Sequence, residues 1–314
     1  MADFTPTIDL TSIPRMATLL VPLDGSRLAE ATIPIALDLR EHLNARVTLL
    51  HVLEHDAPES VHGDPHLRTE ADATTYLAAV ARRFAEGGEA VLTHVHPNPE
   101  HDVAKSIAAH AAEFGADLIL IANHGRGGLR ERIFGSIAQQ VIREGIAPVL
   151  LVPVLSPAAV GRAFNCQTMG VLVNGTAEAE TVLPCAMALA KGLDAVIHLI
   201  LAVPTVGTLP GDRAAVATLV PGTTRAILEL EEANLAGYAT EVRRLLGESG
   251  VRVEVSIVRG DPASATLAEA ERLEVDLLAF ATHAQSGLTG LWNASFGSKV
   301  LSRYTRPLLL VPAR

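Results

Sequence analysis

One order of features occurs twice along this 314-residue chain, and that repetition limits the fold more than any other property. Each half opens with an apolar run closed by a small polar turn. In the first half Ala17–Leu23 precedes Asp24-Gly25-Ser26; in the second, Thr168–Val173 precedes Asn174-Gly175-Thr176. Val47–Leu53 is answered by Val196–Val203, and Leu118–Ala122 by Leu277–Ala281. Ala90–His96 with its turn Pro97-Asn98-Pro99 is answered by Val251–Val258 with Gly260-Asp261-Pro262. A proline-flanked run, Pro148 to Pro153, returns as Pro307 to Pro312. The offset grows slowly, from 150 residues at Asp24/Asn174 to 159 at His124/His283 and 162 at Gly135/Gly297. An unchanged order with a drifting offset implies one unit that was duplicated and then lengthened. The extra length is expected in the Gly-, Pro- and Thr-rich segment Pro204–Arg225, read as a surface excursion.

Helical patterns alternate with these runs: Ile33, Ile35, Ala36 and Leu39 mark the first, followed by Thr69–Glu86, Asp102–Phe114 and Ile137–Arg143. The strand runs are continuously apolar rather than alternating, which fits a parallel sheet covered by helices on both faces. The predicted class is therefore α/β, as two tandem open parallel-sheet, Rossmann-like domains. Residues 1–155 form the first domain, 156–163 the linker and 164–314 the second. The opening segment, MADFTPTIDLTSIPR, lacks the basic start and apolar centre of a signal peptide and reads as a loosely held arm.

In such sheets ligands bind beyond the carboxyl ends of the strands. Asp24, Val52 and the glycine-rich stretch Ala122–Ser136 all fall at such ends and can meet. A strand that runs into a glycine loop and then a helix lets backbone N–H groups converge on an anion. Arg126, Arg130 and Arg132 cluster in this stretch although the first half carries 12 Lys+Arg against 20 Asp+Glu. The whole-chain charge of −10 argues against nucleic acid and anionic membranes as partners. No apolar run is long enough to span a bilayer. Two cysteines, Cys166 and Cys185, without a CxxC context fit a reducing compartment, and a cytoplasmic location is expected.

Catalytic motifs are missing. There is no Gly-x4-Gly-Lys-Ser/Thr, no GxSxG elbow and no GxGxxG after the first strand, and no catalytic base stands out. Ten of the 12 histidines precede Ser156, among them His94-x-His96 with His101 nearby, and His51, His55, His62 and His66 around one loop. They admit a metal-ligand reading, but no cysteine joins them and their spacing matches no familiar zinc module. No metal is assigned on sequence grounds.

The order of motifs resembles the universal stress protein family in its tandem two-domain form. The residues that carry the resemblance are LLVPLDGS (Leu19–Ser26), LLHV (Leu49–Val52), ADLILIANHGRGGL (Ala116–Leu129), FGS (Phe134–Ser136) and APVLLVPV (Ala147–Val154). Nucleotide-binding members carry Gly-x2-Gly-x9-Gly-Ser/Thr; here the first half reads Ala122-x2-Gly125-x9-Gly135-Ser136. The resemblance implies an adenine nucleotide alpha hydrolase-like fold and a bound adenine nucleotide: ATP, or AMP or ADP, with Mg²⁺ where phosphates require it. Asp24 would hold the ribose hydroxyls and Val52 the adenine edge through its backbone. Gly125, Gly135 and Ser136 would cradle phosphates, with Ala122, Asn123, His124 and Arg126 completing the loop and His124 shaping it. The departure is Ala122, whose methyl stands where the family has glycine.

The second half departs further. Ala281 and Ala284 replace both leading glycines, Asn174 replaces the acid, and no Lys or Arg lies between His283 and Lys299. A structural role is expected for it. The family resemblance suggests pairing through the last strands, Val149–Val154 and Leu308–Val311, as an intramolecular pseudo-dimer. The expected function is ATP-binding regulation in the stress response together with an unknown protein partner. The alternatives are a nucleotide-free interaction module and a slow ATP hydrolase.

Overall fold

The computed structural model describes residues 5–8, 13–84, 91–123, 136–154, 164–209, 211–283 and 293–313. In the first half β1 (Thr18–Pro22) leads to α1 (Ile33–Leu43), β2 (Arg46–Glu54), a hairpin of β3 (Ser60–Val61) and β4 (Asp64–Pro65), and α2 (Glu70–Ala81). Then follow β5 (Leu92–Glu100), α3 (Val103–Glu113), β6 (Leu118–Asn123), α4 (Ser136–Glu144) and β7 (Val149–Pro153). The second half runs through β8 (Thr168–Leu172), α5 (Ala177–Glu180), α6 (Val182–Leu193), β9 (Val196–Val203), α7 (Gly211–Leu219) and α8 (Pro221–Glu248). It ends with β10 (Val253–Arg259), α9 (Pro262–Arg272), β11 (Leu277–His283), α10 (Asn293–Arg303) and β12 (Leu308–Ala313).

Ten of these strands form a single sheet in the order β5-β2-β1-β6-β7-β12-β11-β8-β9-β10. The order is a palindrome of the two halves, and every pairing is parallel except the central one. There β7 and β12 run antiparallel, with Leu151 opposite Leu308, Leu150 opposite Leu309 and Val149 opposite Leu310. The terminal strands thus pair as the family resemblance implies, and they make an intramolecular pseudo-dimer. Each strand that would have been an exposed edge covers the other.

Period-two alternation divides the side chains between two core layers. Leu19, Val21, Leu150, Val171 and Leu309 face the layer shared with α1, α2, α6 and α8. Leu20, Leu151, Leu172, Leu308 and Leu310 face the layer covered by α3, α4, α9 and α10. Both layers run through the seam. On one face α1 packs against α6, where a Cβ on Gly192 would lie 2.0 Å from Leu43 Cδ2. That contact accounts for a helical glycine that would otherwise cost about 1 kcal/mol relative to alanine.

The duplication extends to hydrogen bonds. Asp117 Oδ2 accepts from the N–H groups of Ala17 (2.8 Å) and Thr18 (3.0 Å), and Asp276 Oδ2 accepts from Gln167 and Thr168, both at 3.0 Å. Helix starts repeat as well. Asp102 accepts from Lys105 N at 3.0 Å to cap α3, and Asp261 accepts from Ser264 N at 3.1 Å to cap α9.

Three expectations are corrected. The Pro97-Asn98-Pro99 segment is not a turn: β5 continues through it to Glu100. As the outermost strand β5 has one neighbour, so prolines need not supply a full ladder, and the pairing with β2 slips between Val52 and Glu54. Pro204–Arg225 lies at the surface, with Val216, Leu219 and Val220 exposed, but it is ordered as a 3₁₀ turn (Val206–Thr208), α7 and the start of α8 rather than as loop. Pro221 occupies the first turn of α8, where its missing N–H costs nothing. Finally, the N-terminal arm is anchored. Thr7 donates through its N–H (2.8 Å) and its hydroxyl (2.7 Å) to Glu180 Oε2 in the second domain.

Candidate functional site

The carboxyl ends of β1, β2 and β6 open onto a cleft of about 600 Å³, lined by Asp24, Val52, Ala122 and Ser136 among others. These residues come from four separate stretches of sequence, and the parallel topology brings them together. Leu23 N donates to Leu50 O at 2.8 Å and carries β1 one residue further along β2. The chain then turns at Gly25, whose φ of +88° lets Ser26 N return to Asp24 Oδ1 at 2.8 Å. One oxygen of the Asp24 carboxylate is thereby committed. The other lies 3.9 Å from His62 Nε2 at the rim.

Val52 is buried on β2, and Ala122 sits near the end of β6 at 9% exposure. Ser136 is the first residue of α4 and is exposed, so the helix begins at the cleft wall with its unpaired N–H groups. Apolar walls come from Leu50 and Ile121 on the strands and Val103 and Ile107 on α3. Asn123 is half-buried at the end of β6, where its carbonyl accepts from Val154 N at 3.0 Å; it is not among the lining residues. His124, Gly125, Arg126 and Gly135 lie outside the described residues.

The sequence reading missed the cover of the cleft. The Glu54–His66 loop folds as the β3–β4 hairpin, with His62 (φ +51°) and Gly63 (φ +89°) at its tip. Positive φ at both tip residues matches the tight turn that two short antiparallel strands need. Arg27 N donates to Asp64 Oδ2 at 2.8 Å and ties the hairpin to the turn after β1. Glu54, Pro58, Ser60, Val61, His62 and His66 therefore line the cleft. The available signal is the run of histidines, His55, His62 and His66, after β2.

His51 lies beneath the floor at 2% exposure. Its Nδ1–H donates to Leu23 O at 2.7 Å, which leaves Nε2 as an acceptor. Nε2 is buried and makes no hydrogen bond of ordinary geometry among the described residues. Burial holds the His51 imidazole below its usual range, so it is neutral at physiological pH. Asp24 and Glu54 bring acidic side chains to the cleft, beside His62 and His66 respectively.

The equivalent turn of the second half keeps the geometry without the charge. Asn174 Oδ1 accepts from Thr176 N at 3.1 Å, and Gly175 has φ +78°. Lys299 on α10 sits 3.2 Å from Asp261 Oδ2, so this cation is paired with the cap of α9.

The sequence profile of the universal stress protein family matches residues 16–153 and again residues 165–312. The chain belongs to that family. Two universal stress proteins illustrate the relation: YxiE of Bacillus subtilis is 25% identical over 147 residues, 43% of this chain and 97% of the relative. A universal stress protein of Synechocystis is 30% identical over 136 residues, 43% of this chain and 85% of the relative. Each relative thus corresponds to one universal stress protein domain of the pair. Among solved structures, a universal stress protein of Archaeoglobus fulgidus superposes with a TM-score of 0.66 at 16% identity, over 95% of this chain and 98% of that one. At that identity the likeness establishes the fold alone: the tandem universal stress protein architecture across both halves. Among the described residues no helix is long and apolar enough to cross a membrane.

Proposed function

We propose that the N-terminal cleft binds an adenine nucleotide, ATP in the first instance with Mg²⁺ on its phosphates, and that occupancy regulates a protein partner in the stress response. The observation that carries this reading is the convergence of Asp24, Val52, Ala122 and Ser136 on one cleft of about 600 Å³. A cleft of that size with apolar walls and a few directional polar groups suits a drug-sized ligand. Asp24, with one oxygen held by Ser26 N and the other 3.9 Å from His62 at the rim, can turn that outer oxygen toward a ligand that brings donors of its own, as ribose hydroxyls do. The N-terminus of α4 at Ser136 favours an anion on the other side. Asp24 would accept from the ribose, the Val52 backbone would meet the base, and Ser136 with Gly125 and Gly135 would face the phosphates. Ala122 would narrow the approach by one methyl. The second domain, with Asn174 in place of the acid and Lys299 already paired, would serve as a structural partner.

Equilibrium titration with ATP–Mg²⁺, ADP and AMP tests the reading. Saturable binding is expected in the wild type. Asp24→Ala should weaken it at least tenfold, since a hydrogen bond to a charged group is worth about 1.5–3 kcal/mol. Gly135→Asp should abolish it by setting a carboxylate against the phosphates. Absence of saturable binding at millimolar ATP would overturn the proposal.

A further inference from the structure

The edge of the sheet carries a second group of histidines, away from the cleft. His94 and His96 stand two residues apart on β5 and so share one face of the strand. Helix α3 folds back over that face and adds His110, which lies 14 residues beyond His96 in the chain. A ring nitrogen of each residue lies within 4.8 Å of one on each of the other two. His94 Nε2 and His110 Nε2 are 3.1 Å apart.

The geometry points to a three-imidazole site for a divalent first-row transition-metal ion, zinc in the first instance, formed by His94, His96 and His110.

Four details support it. His110 Nδ1–H donates to the Ser106 carbonyl at 2.8 Å, one turn back on α3. That bond fixes the tautomer and leaves the Nε2 lone pair toward His94, the outer-shell arrangement that orients metal-bound imidazoles. Second, two nitrogens bound to one tetrahedral zinc at ~2.0–2.1 Å lie about 3.3–3.4 Å apart, close to the observed 3.1 Å. Third, His96 Nε2 is 3.0 Å from Glu100 Oε1, which places a carboxylate beside that ring as an outer partner that orients it. Glu100, Asp102 and Glu113 line the same surface depression against one cation, Lys105, so the surroundings favour positive charge. Without metal, His94 Nε2–H donates to His110 Nε2. Metal binding moves that proton to His94 Nδ1 and leaves all three ligands neutral.

The fourth detail is the second domain, where the same fold does without imidazoles. By strand register and helix cap, Ser256, Val258 and Glu269 occupy the positions of His94, His96 and His110. There Glu269 lies beside Ser256 and accepts from Arg272 on its own helix. Packing alone therefore does not call for three histidines.

The test is titration of the untagged, chelator-treated full chain with Zn²⁺ by calorimetry, and with Co²⁺ by visible absorption. One equivalent should bind with micromolar or tighter affinity, and Co²⁺ should develop the intense bands of a low-symmetry, near-tetrahedral site. His94→Gln and His96→Gln, both on the partly exposed strand, should each weaken binding by more than about tenfold. His55→Gln/His101→Gln, which removes a separate exposed pair stacked at 4.1 Å, should leave it unchanged. No saturable uptake by the wild type, or equal uptake by the His94→Gln/His96→Gln double variant, would overturn the site. His110→Gln is informative only if it folds; the two strand variants decide without it.

Discussion

The seam between the halves makes a quantitative prediction at Leu150 and Leu309. The two residues face each other across the antiparallel pair, both are fully buried, and both point into the same core layer. Truncation of an enclosed leucine to alanine costs about 3–5 kcal/mol, from lost transfer energy plus the cavity left behind. Leu150→Ala and Leu309→Ala should each fall in that range by urea unfolding. Directly opposed side chains on one face of an antiparallel pair interact by ~0.5–1 kcal/mol. The double variant should therefore lose less than the sum of the singles by about that amount, because the second truncation no longer breaks a cross-seam contact. Leu199 provides the control: it is equally buried in the same layer but lies on β9, away from the seam. Leu150→Ala with Leu199→Ala should add to within ~0.3–0.5 kcal/mol. Unfolding followed by circular dichroism should remain a single transition, since both core layers are continuous across the junction. Strict additivity at Leu150/Leu309, or two transitions that each respond to only one of the substitutions, would refute the shared sheet.

Four further outcomes follow from the structure. The folded-state pKa of His51 lies below the unfolded value near 6.5, so the unfolded chain takes up the proton first as pH falls. Stability should be full above about pH 7 and decline below about 6.5, by ~1.4 kcal/mol per unit of depression, and His51→Gln should flatten that part of the pH profile of the urea midpoint. Gly25→Ala should cost about 1–2 kcal/mol, because φ is +88° and the new Cβ would meet Leu67 Cγ at 2.7 Å; thermal unfolding reads this out. Burial pushes the Cys166 thiol up to about 12 and raises Cys185 as well, so neither should react with a thiol reagent until the protein is unfolded in urea. Replacing Glu180 with alanine should free the arm held at Thr7 and speed tryptic cleavage after the exposed Arg15, with little change at other sites.

Much of the architecture was readable because parallel strands buried on both faces must be apolar without interruption. Leu118–Ala122 and Leu277–Ala281 show this plainly; the proline-flanked last strands marked the repeat, and their pairing at the seam was implied by the family resemblance. Two of the three corrections share a physical origin. Proline and glycine mark loops in general, yet Pro97 and Pro99 are tolerated on an edge strand and Pro221 starts a helix. The letters are the same; only position in the sheet or helix tells the cases apart. For the cleft, Asp24, Val52, Ala122 and Ser136 were legible because strand ends are where the fold collects ligands. The hairpin cover was not, because its two short strands carry almost no periodic signal. His110 was invisible for another reason: its meeting with His94 depends on how α3 turns back over β5, which no local spacing records.

The antiparallel pairing of β7 with β12 also settles a matter of dilution. Two separate half-chains would have to find each other, and their association would weaken as concentration fell. Joined in one chain, they meet at an effective concentration that does not fall as the protein is diluted. The pairing is then always between unlike halves. One half can hold the charged turn at Asp24 and the histidines of β5 and α3, while the other trades them for Asn174, Ser256, Val258 and Glu269. No population of like-with-like pairs dilutes the difference.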